Sequence, residues 1–366
     1  MLHALLGAAL CASALAAPTI TSSVTRLSTP TAWTAVSWAG VESPSTADWL
    51  AVFCTGGTYY WWIYATGEAS GTLDLRLFAN SAGSGCASLT VSYYHGSAIL
   101  MSTAAIPIDP MIQQVHLSLT SNPTEMVVDF VSSTSAGFNA SCRYGGSPGA
   151  PTAVAQAVTT QISTIGHVSH ALLQGLTPGQ RVYYSCGDSL AVSEEYNFTA
   201  GAVRGDGTQR IAVFADFGVN DGFGLDQIAR DAEAGAFDLA LHAGDWAYNF
   251  DTGNSANGNF MMNRAMLYSA AHPVQPAPGN HEAASSNGLV FGEYQSRHPG
   301  VAAHANTNTS LFYSFESGLV HYLVFNSETY IEGGIARMLA FMQSDLAGVN
   351  RSKTPWIVAY SHKLWW

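Results

Sequence analysis

Four short groups of residues carry side chains that could do metal-assisted chemistry. They are Asp216-Phe217-Gly218, Gly244-Asp245-Trp246-Ala247-Tyr248, Gly279-Asn280-His281-Glu282 and Ala359-Tyr360-Ser361-His362. Asp216, Asp245, Asn280 and His362 are separated by 29, 35 and 82 residues, each enough for one strand–helix return or more. The donors are hard oxygens and imidazole. Carboxylates and a phenolate suit a trivalent ion, whereas imidazole and an amide oxygen suit a divalent one. A carboxylate between them can bridge, and two metals about 3.5–4 Å apart would clamp a phosphoryl group and activate water near neutral pH. Taken singly, a DxG or a GD reads as a turn. The four together, in order and each just past an apolar run, read as a site.

The elements that must position these groups follow from the apolar pattern after Thr208. IAVFADFG and DLALHAGD are buried strands that end in polar loops, GLDQIARDAEAGAF is an amphipathic helix with a C-terminal Gly, and NFMMNRAMLYSA is a second helix. VQPAPGNHE is a strand edge and loop, LFYSFESGLVHYLVFNS a hairpin turning at Ser317-Gly318, GIARMLAFMQSDLAG a helix and PWIVAYSH a final strand. Alternating strands and helices with one hairpin inserted predict an α/β layered domain. In such sheets the loops beyond the carboxyl ends of the strands converge, which is where all four groups lie.

The chain before this point has another character. TAWTAVSW, ADWLAVFC, GTYYWWIYA and ASLTVSYYHG read as short strands separated by Gly and Ser clusters, giving a first β-domain over 18–107. VHLSLT, EMVVDFVSS, ASCRYGG, HVSHALLQGL and RVYYSCGD continue the style over 108–203 and suit a seven-stranded sandwich. Leu176-Thr177-Pro178-Gly179-Gln180 resembles the turn entering a late strand of a fibronectin type III sandwich. The α/β domain then spans 204–366. Neither β-region holds a cluster of titratable groups.

Composition excludes several classes. Of 366 residues only 10% are charged, 48% are apolar, and the formal net charge is −12. An average soluble protein has roughly 25% charged residues. A disordered chain needs the reverse balance. Lys occurs only at 353 and 363 and the Arg are scattered, so no basic patch for nucleic acid is visible. No apolar run reaches the ~20 residues of a membrane span. Residues 1–17 read as a secretory signal peptide, with an apolar stretch from Ala4 to Ala12 and a small-x-small site at Ala14-Leu15-Ala16. Cys11 would leave with it. The remaining Cys54, Cys86, Cys142 and Cys186 favour two disulfides in an oxidising compartment, with three connectivities open; pairing within domains would give Cys54–Cys86 and Cys142–Cys186. Sequons at Asn139, Asn197, Asn308 and Asn350 are candidate glycan sites.

The ordered motifs resemble purple acid phosphatases of the large, plant-like type, within the metallophosphoesterase superfamily, whose pattern is DxG, GDxxY, GNH[DE], VxxH, GHxH. SLFYSFESGLVHYLVFNSE is similar to the family hairpin, the span 108–200 to its fibronectin-like N-terminal domain, and ADWLAVFC to an extra β-segment of large members. The resemblance implies a multidomain fold: an all-β N-terminal part followed by an α-β-β-α metallophosphoesterase sandwich. It implies a secreted acid phosphatase, cell wall or vacuole included, that hydrolyses phosphate monoesters by attack of hydroxide on a dinuclear centre of Fe(III) with divalent Fe, Zn or Mn. Asp216 and Tyr248 would bind the trivalent iron, Asp245 would bridge, and Asn280 and His362 would bind the divalent metal. His281 would contact phosphate and help protonate the leaving group, with Glu282 orienting it. The oligomeric state stays open, a homodimer included.

The departures are Ala359 in place of Val, Lys363-Leu364 after His362, and the absence of GHxH. Gly166-His167-Val168-Ser169-His170 has the wrong spacing and reads as strand. Five of seven expected ligands are therefore present, three of four at each metal, and the domain reads as C-terminally incomplete. Two rival readings follow: a non-catalytic secreted β-domain protein carrying a degenerate phosphatase domain, and a related phosphodiesterase or nucleotidase. Among the other histidines, His242, His272 and His321 read as structural, and His298 and His304 as residues of a long loop after GNHE.

Overall fold

The computed structural model describes residues 17–54, 59–79, 86–133, 139–219, 223–283, 290–332 and 334–363. The expected signal peptide with Cys11 lies outside them, apart from Ala17, as does Leu364-Trp365-Trp366. The first unit is built from β1 (Thr19–Ser22), β2 (Thr31–Ala39), β3 (Trp49–Cys54), β4 (Tyr59–Tyr64), β5 (Gly71–Phe78), β6 (Ser88–His95), β7 (Ala98–Ser102) and β8 (Ile106–Pro107). These form two sheets, ordered β1-β2-β5 and β4-β3-β6-β7, with β8 on β6. Alternation along β2 buries Thr34, Val36 and Trp38 and leaves Trp33 exposed. Leu75 and Leu77 of β5 complete that face, against Leu50, Val52, Val91 and Tyr93 of the other sheet. A disulfide joins Cys54 to Cys86.

The second unit has the seven strands expected: β9 (Ile112–Ser118), β10 (Met126–Ser132), β11 (Ser141–Gly145), β12 (Ala153–Ile162), β13 (Gly166–Leu173), β14 (Arg181–Gly187) and β15 (Tyr196–Thr199). Their order is β15-β14-β11-β12-β13-β10-β9. The long β12 pairs with β11 through Ala153–Gln156 and with β13 through Ala157–Ile162, so one strand serves both halves. Gln180 donates its N–H to the Thr177 carbonyl just before β14 begins, the turn read from LTPGQ. His167 and His170 lie within β13, as the strand reading of GHVSH requires. Cys142 and Cys186 are direct cross-strand partners and are joined by a disulfide. Removing it by Cys142→Ser is expected to cost about 2–5 kcal/mol, read as a lower denaturant midpoint.

The third unit opens with a parallel sheet, β16 (Ile211–Phe214), β17 (Leu239–Ala243) and β18 (Val274–Ala277), in that order. Its crossovers are α1 (Phe223–Glu233), which gives way to a left-handed Gly235, and α2 (Ala256–Ser269). After the short α3 (Asn280–Ala283), α4 (Gly292–Arg297) and α5 (Pro299–His304) come β19 (Tyr313–Ser317), β20 (Val320–Val324), α6 (Thr329–Glu332), α7 (Ile335–Gly348) and β21 (Trp356–Tyr360). The hairpin turns at Gly318-Leu319, and β21 adds to β20 in parallel. The two sheets face each other. Tyr313 and Tyr360 of the second donate hydroxyl hydrogen bonds to the carbonyls of Pro276 and Gln275 in the first, at 2.8 and 3.0 Å. The predicted loop after GNHE contains α4 and α5. His298 is buried against the Trp246 ring of the loop after β17, and His304 packs against the His170 ring.

The third unit shares an interior with each of the other two: the core of the first runs into α1 and α2, and that of the second into β17, β19 and β20. Nearly all of α2 is buried, because it packs against β9, against α1 and against β4 and β5 of the first unit. Asn263 in its middle accepts the Gln114 N–H at 3.1 Å and donates to Gln113 Oε1 at 3.0 Å and to the Ala79 carbonyl. A buried Asn inside a helix is acceptable here because its amide oxygen and nitrogen both find partners across the junction. Asn139, Asn308 and Asn350 are exposed, whereas Asn197 is half-buried on β15 and accepts a hydrogen bond from Arg181. No helix among the described residues is long and apolar enough to cross a membrane.

Candidate metal centre

The site forms where β16, β17, β18 and β21 end. The loop after β16 is laid onto the loop after β17 by three backbone bonds: Asp216, Phe217 and Gly218 donate to the carbonyls of Gly244, Asp245 and Trp246. Several residues here sit in the left-handed region, with φ of 61° at Asp216, 55° at Asp245 and 46° at Tyr248. Such conformations cost about 1–3 kcal/mol each and persist only where the surroundings impose them. Gly244 is required: its φ is 91°, and a Cβ would lie 2.7 Å from the Gly279 nitrogen and 3.0 Å from the His362 Cβ.

The five predicted ligands come together. Atoms of Asp216, Asp245 and His362 lie within 4.8 Å of one another, and they are the one such group of three among the described residues. The Tyr248 hydroxyl donates to Asp216 Oδ1 at 2.9 Å. His362 Nδ1 lies 2.9 Å from the Ala243 carbonyl, which can only accept, so Nδ1 carries a hydrogen and Nε2 turns inward. That Nε2 is 3.1 Å from Asn280 Oδ1 and 3.4 Å from Asp245 Oδ2. Three acceptor-type atoms pointing at one spot call for a cation or a proton there. The hydrogen bond to Asp245 raises the His362 pKa to about 9. For Asp245, burial works upward but is outweighed by the bonds from His362 and the His281 N–H, which hold the carboxyl below its usual range. The donor chemistry fits metal ions: two carboxylates, a phenol, an amide oxygen and an imidazole fixed through its far nitrogen.

His281 stands beside this group. Its N–H donates to Asp245 Oδ1 at 2.9 Å, its Nδ1 is 2.7 Å from Asn249 Oδ1, and its ring meets that of Tyr248 edge-on at 4.5 Å. Its Nε2 is 3.9 Å from Asp245 Oδ2, with about a third of the side chain open to solvent. Glu282 differs from expectation. It does not orient His281; its buried carboxylate accepts the backbone N–H groups of Asp245, Trp246 and Gly279 at 2.7, 2.9 and 2.9 Å. It therefore ties the second loop to the third. Burial pushes its carboxyl up to about 7 despite these donors. Asn249 was also missed, although it directly follows Tyr248. His242 is buried as expected and stacks on Trp246 at 3.7 Å, behind the Asp245 loop.

Gly218 explains why the first motif needs a glycine. A Cβ there would lie 2.7 Å from Tyr248 Cδ2, and φ is already 63°. Gly218→Ala is expected to displace the Tyr248 ring and lower kcat/KM by about 10–100-fold, since ångström-scale misplacement costs this much, and to lower the melting temperature by a few degrees because alanine is strained at this φ.

The paired sheets with ligands at strand ends define a calcineurin-like metallophosphoesterase. Residues 209–366 match the family model described as "Calcineurin-like phosphoesterase", and residues 112–200 the one described as "Purple acid Phosphatase, N-terminal domain". Acid phosphatase type 7 of Mus musculus is 30% identical over 265 residues, covering 69% of this chain and 58% of its own. Probable inactive purple acid phosphatase 9 of Arabidopsis thaliana is 27% identical over 311 residues, covering 69% of this chain and 46% of its own. In fold, the structure of purple acid phosphatase PPD1 from yellow lupin seeds matches with a TM-score of 0.68 at 18% identity, over 95% of this chain and 73% of that one. The chain belongs to the purple acid phosphatase family of the metallophosphoesterase superfamily. It spans 58% of the length of the mouse relative.

Proposed function

We propose that the protein is a secreted acid phosphatase that hydrolyses phosphate monoesters at a dinuclear metal centre. The observation that carries this is the convergence of Asp216, Asp245 and His362 within 4.8 Å, with Tyr248 and Asn280 in contact with them. Asp216 and Tyr248 would hold Fe(III), Asn280 and His362 a divalent Fe, Zn or Mn, and Asp245 would reach both. Such a metal pair, when bound, activates water and neutralises the charge of the phosphoryl group. The chain's own residues do the rest. Asn249 fixes the His281 ring from Nδ1, which leaves Nε2 to hold a proton near the departing alcohol oxygen. Glu282 holds the Asp245 and Gly279 loops in register. The two disulfides and the sequons support an oxidising, extracellular setting.

The test compares p-nitrophenyl phosphate with its bis ester. Monoester turnover well above diester turnover is expected, together with a visible phenolate-to-iron absorption band. The reverse preference would favour the phosphodiesterase reading. A folded protein with neither activity nor metal would favour a degenerate domain.

A further inference from the structure

A second cavity, of about 700 Å³, opens between the first β-unit and the helices of the third. This is within the ~300–1,000 Å³ range of small-ligand sites. One wall is made by the facing edges of the two N-terminal sheets. Trp33 and Arg76 are cross-strand partners on β2 and β5, and Asp74 lies on the same face as Arg76, two residues earlier. Trp61 on β4 adds a second indole. The other wall is the outer surface of α1 and α2 and carries Asp226, Arg230, Glu233 and Arg264. None of these residues belongs to the groups described as the metal centre.

Three features define what would fit. First, Trp33 is 63% exposed on a β-strand, and the Arg76 guanidinium sits over its ring at 5.5 Å. That contact fixes the indole plane at the mouth of the cavity. Second, Asp74, Asp226 and Glu233 balance Arg76, Arg230 and Arg264, in a chain whose net charge is −12. A cleft without net charge does not select an anion or a cation, yet it is dense in both donors and acceptors. Third, Asp226 and Glu233 of the helix wall act electrostatically on Arg76 of the sheet wall, so both walls present charge to the same space.

We propose that this cleft binds a neutral oligosaccharide. Pyranose rings present a face of C–H groups that stacks on indole, and an edge of hydroxyls that both donate and accept. Trp33 and Trp61 offer the stacking surface, and the charged side chains that line the cleft offer partners for the hydroxyls. The site is independent of the phosphatase reading, and would hold the protein on a glycan while leaving the strand-end loops open.

The test is titration calorimetry of the full protein with cellotetraose, xylotetraose, chitotetraose and maltotetraose. At least one is expected to bind with a Kd between about 10 μM and 1 mM, typical of weak small-ligand sites, and to change the tryptophan fluorescence. Trp33→Ala is expected to weaken that binding at least about 10-fold, or 1.4 kcal/mol, with an unchanged melting temperature, because the indole is outside the core. Asp74→Ala offers a second variant on the same wall and is expected to weaken binding without loss of fold. No binding of any of the four at about 10 mM would overturn the proposal, as would binding that both variants leave intact, or binding confined to a charged polymer such as polygalacturonate.

Discussion

Asp245→Asn is expected to lower kcat/KM for p-nitrophenyl phosphate by about 1,000-fold or more, with the fold retained. Even an outer partner of a metal ligand is worth about 10–100-fold, and Asp245 is placed at the centre of the donor group. Its Oδ2 is 3.4 Å from His362 Nε2, and its Oδ1 accepts the His281 N–H. The substitution preserves shape. It also suits the backbone, because Asn tolerates the left-handed conformation that Asp245 adopts at φ 55°. What changes is the charge and one acceptor oxygen. Metal analysis of the same sample should show loss of bound ions, and circular dichroism should be unchanged. Activity within 10-fold of the parent protein would remove Asp245 from the role assigned to it.

The second large effect is on stability. Glu282→Ala is expected to lower the melting temperature by on the order of 10 °C. The Glu282 carboxylate is buried and is the acceptor for three backbone N–H groups from two loops. Each buried donor left without a partner costs about 1–3 kcal/mol. Glu282→Gln keeps one acceptor oxygen but turns an amide N–H₂ toward other donors, so an intermediate loss is expected. Differential scanning calorimetry of both variants checks the ranking Ala below Gln below the parent. A neutral result for Glu282→Ala would show that the loops are held by packing alone.

Much of the site was readable from sequence because its signals are local. IAVF, LALHA and the strand before Gly279 are short apolar runs, each followed within three residues by Asp or Asn. Strand ends converge in any parallel sheet, so the meeting of the four groups followed from their order, while the metal-binding roles of single residues rest on the family resemblance. The hidden part depends on partners distant in the chain. Glu282 looked like a neighbour of His281, but its acceptor atoms are taken by N–H groups up to 37 residues away. His298 reads as a polar residue in a loop; its burial depends on α4 and α5 packing against Trp246 and His116. Strand β12 is hard to read from sequence because the valines of AVAQAVTTQI at 154 and 158 face outward, whereas GTLDLRLF of β5 carries the alternation of a half-buried strand. The second cavity was invisible for a related reason: the Trp33–Arg76 pairing is a matter of strand register, and its far wall comes from helices more than 140 residues later.

The central claim is that these residues hold a pair of metal ions, and metal content tests it most directly. Inductively coupled plasma mass spectrometry on the natively expressed protein, beside its Asp245→Asn variant, is expected to give two ions per chain in the first, one of them iron, and their loss in the second. A folded, native protein holding one ion or none would contradict the dinuclear account.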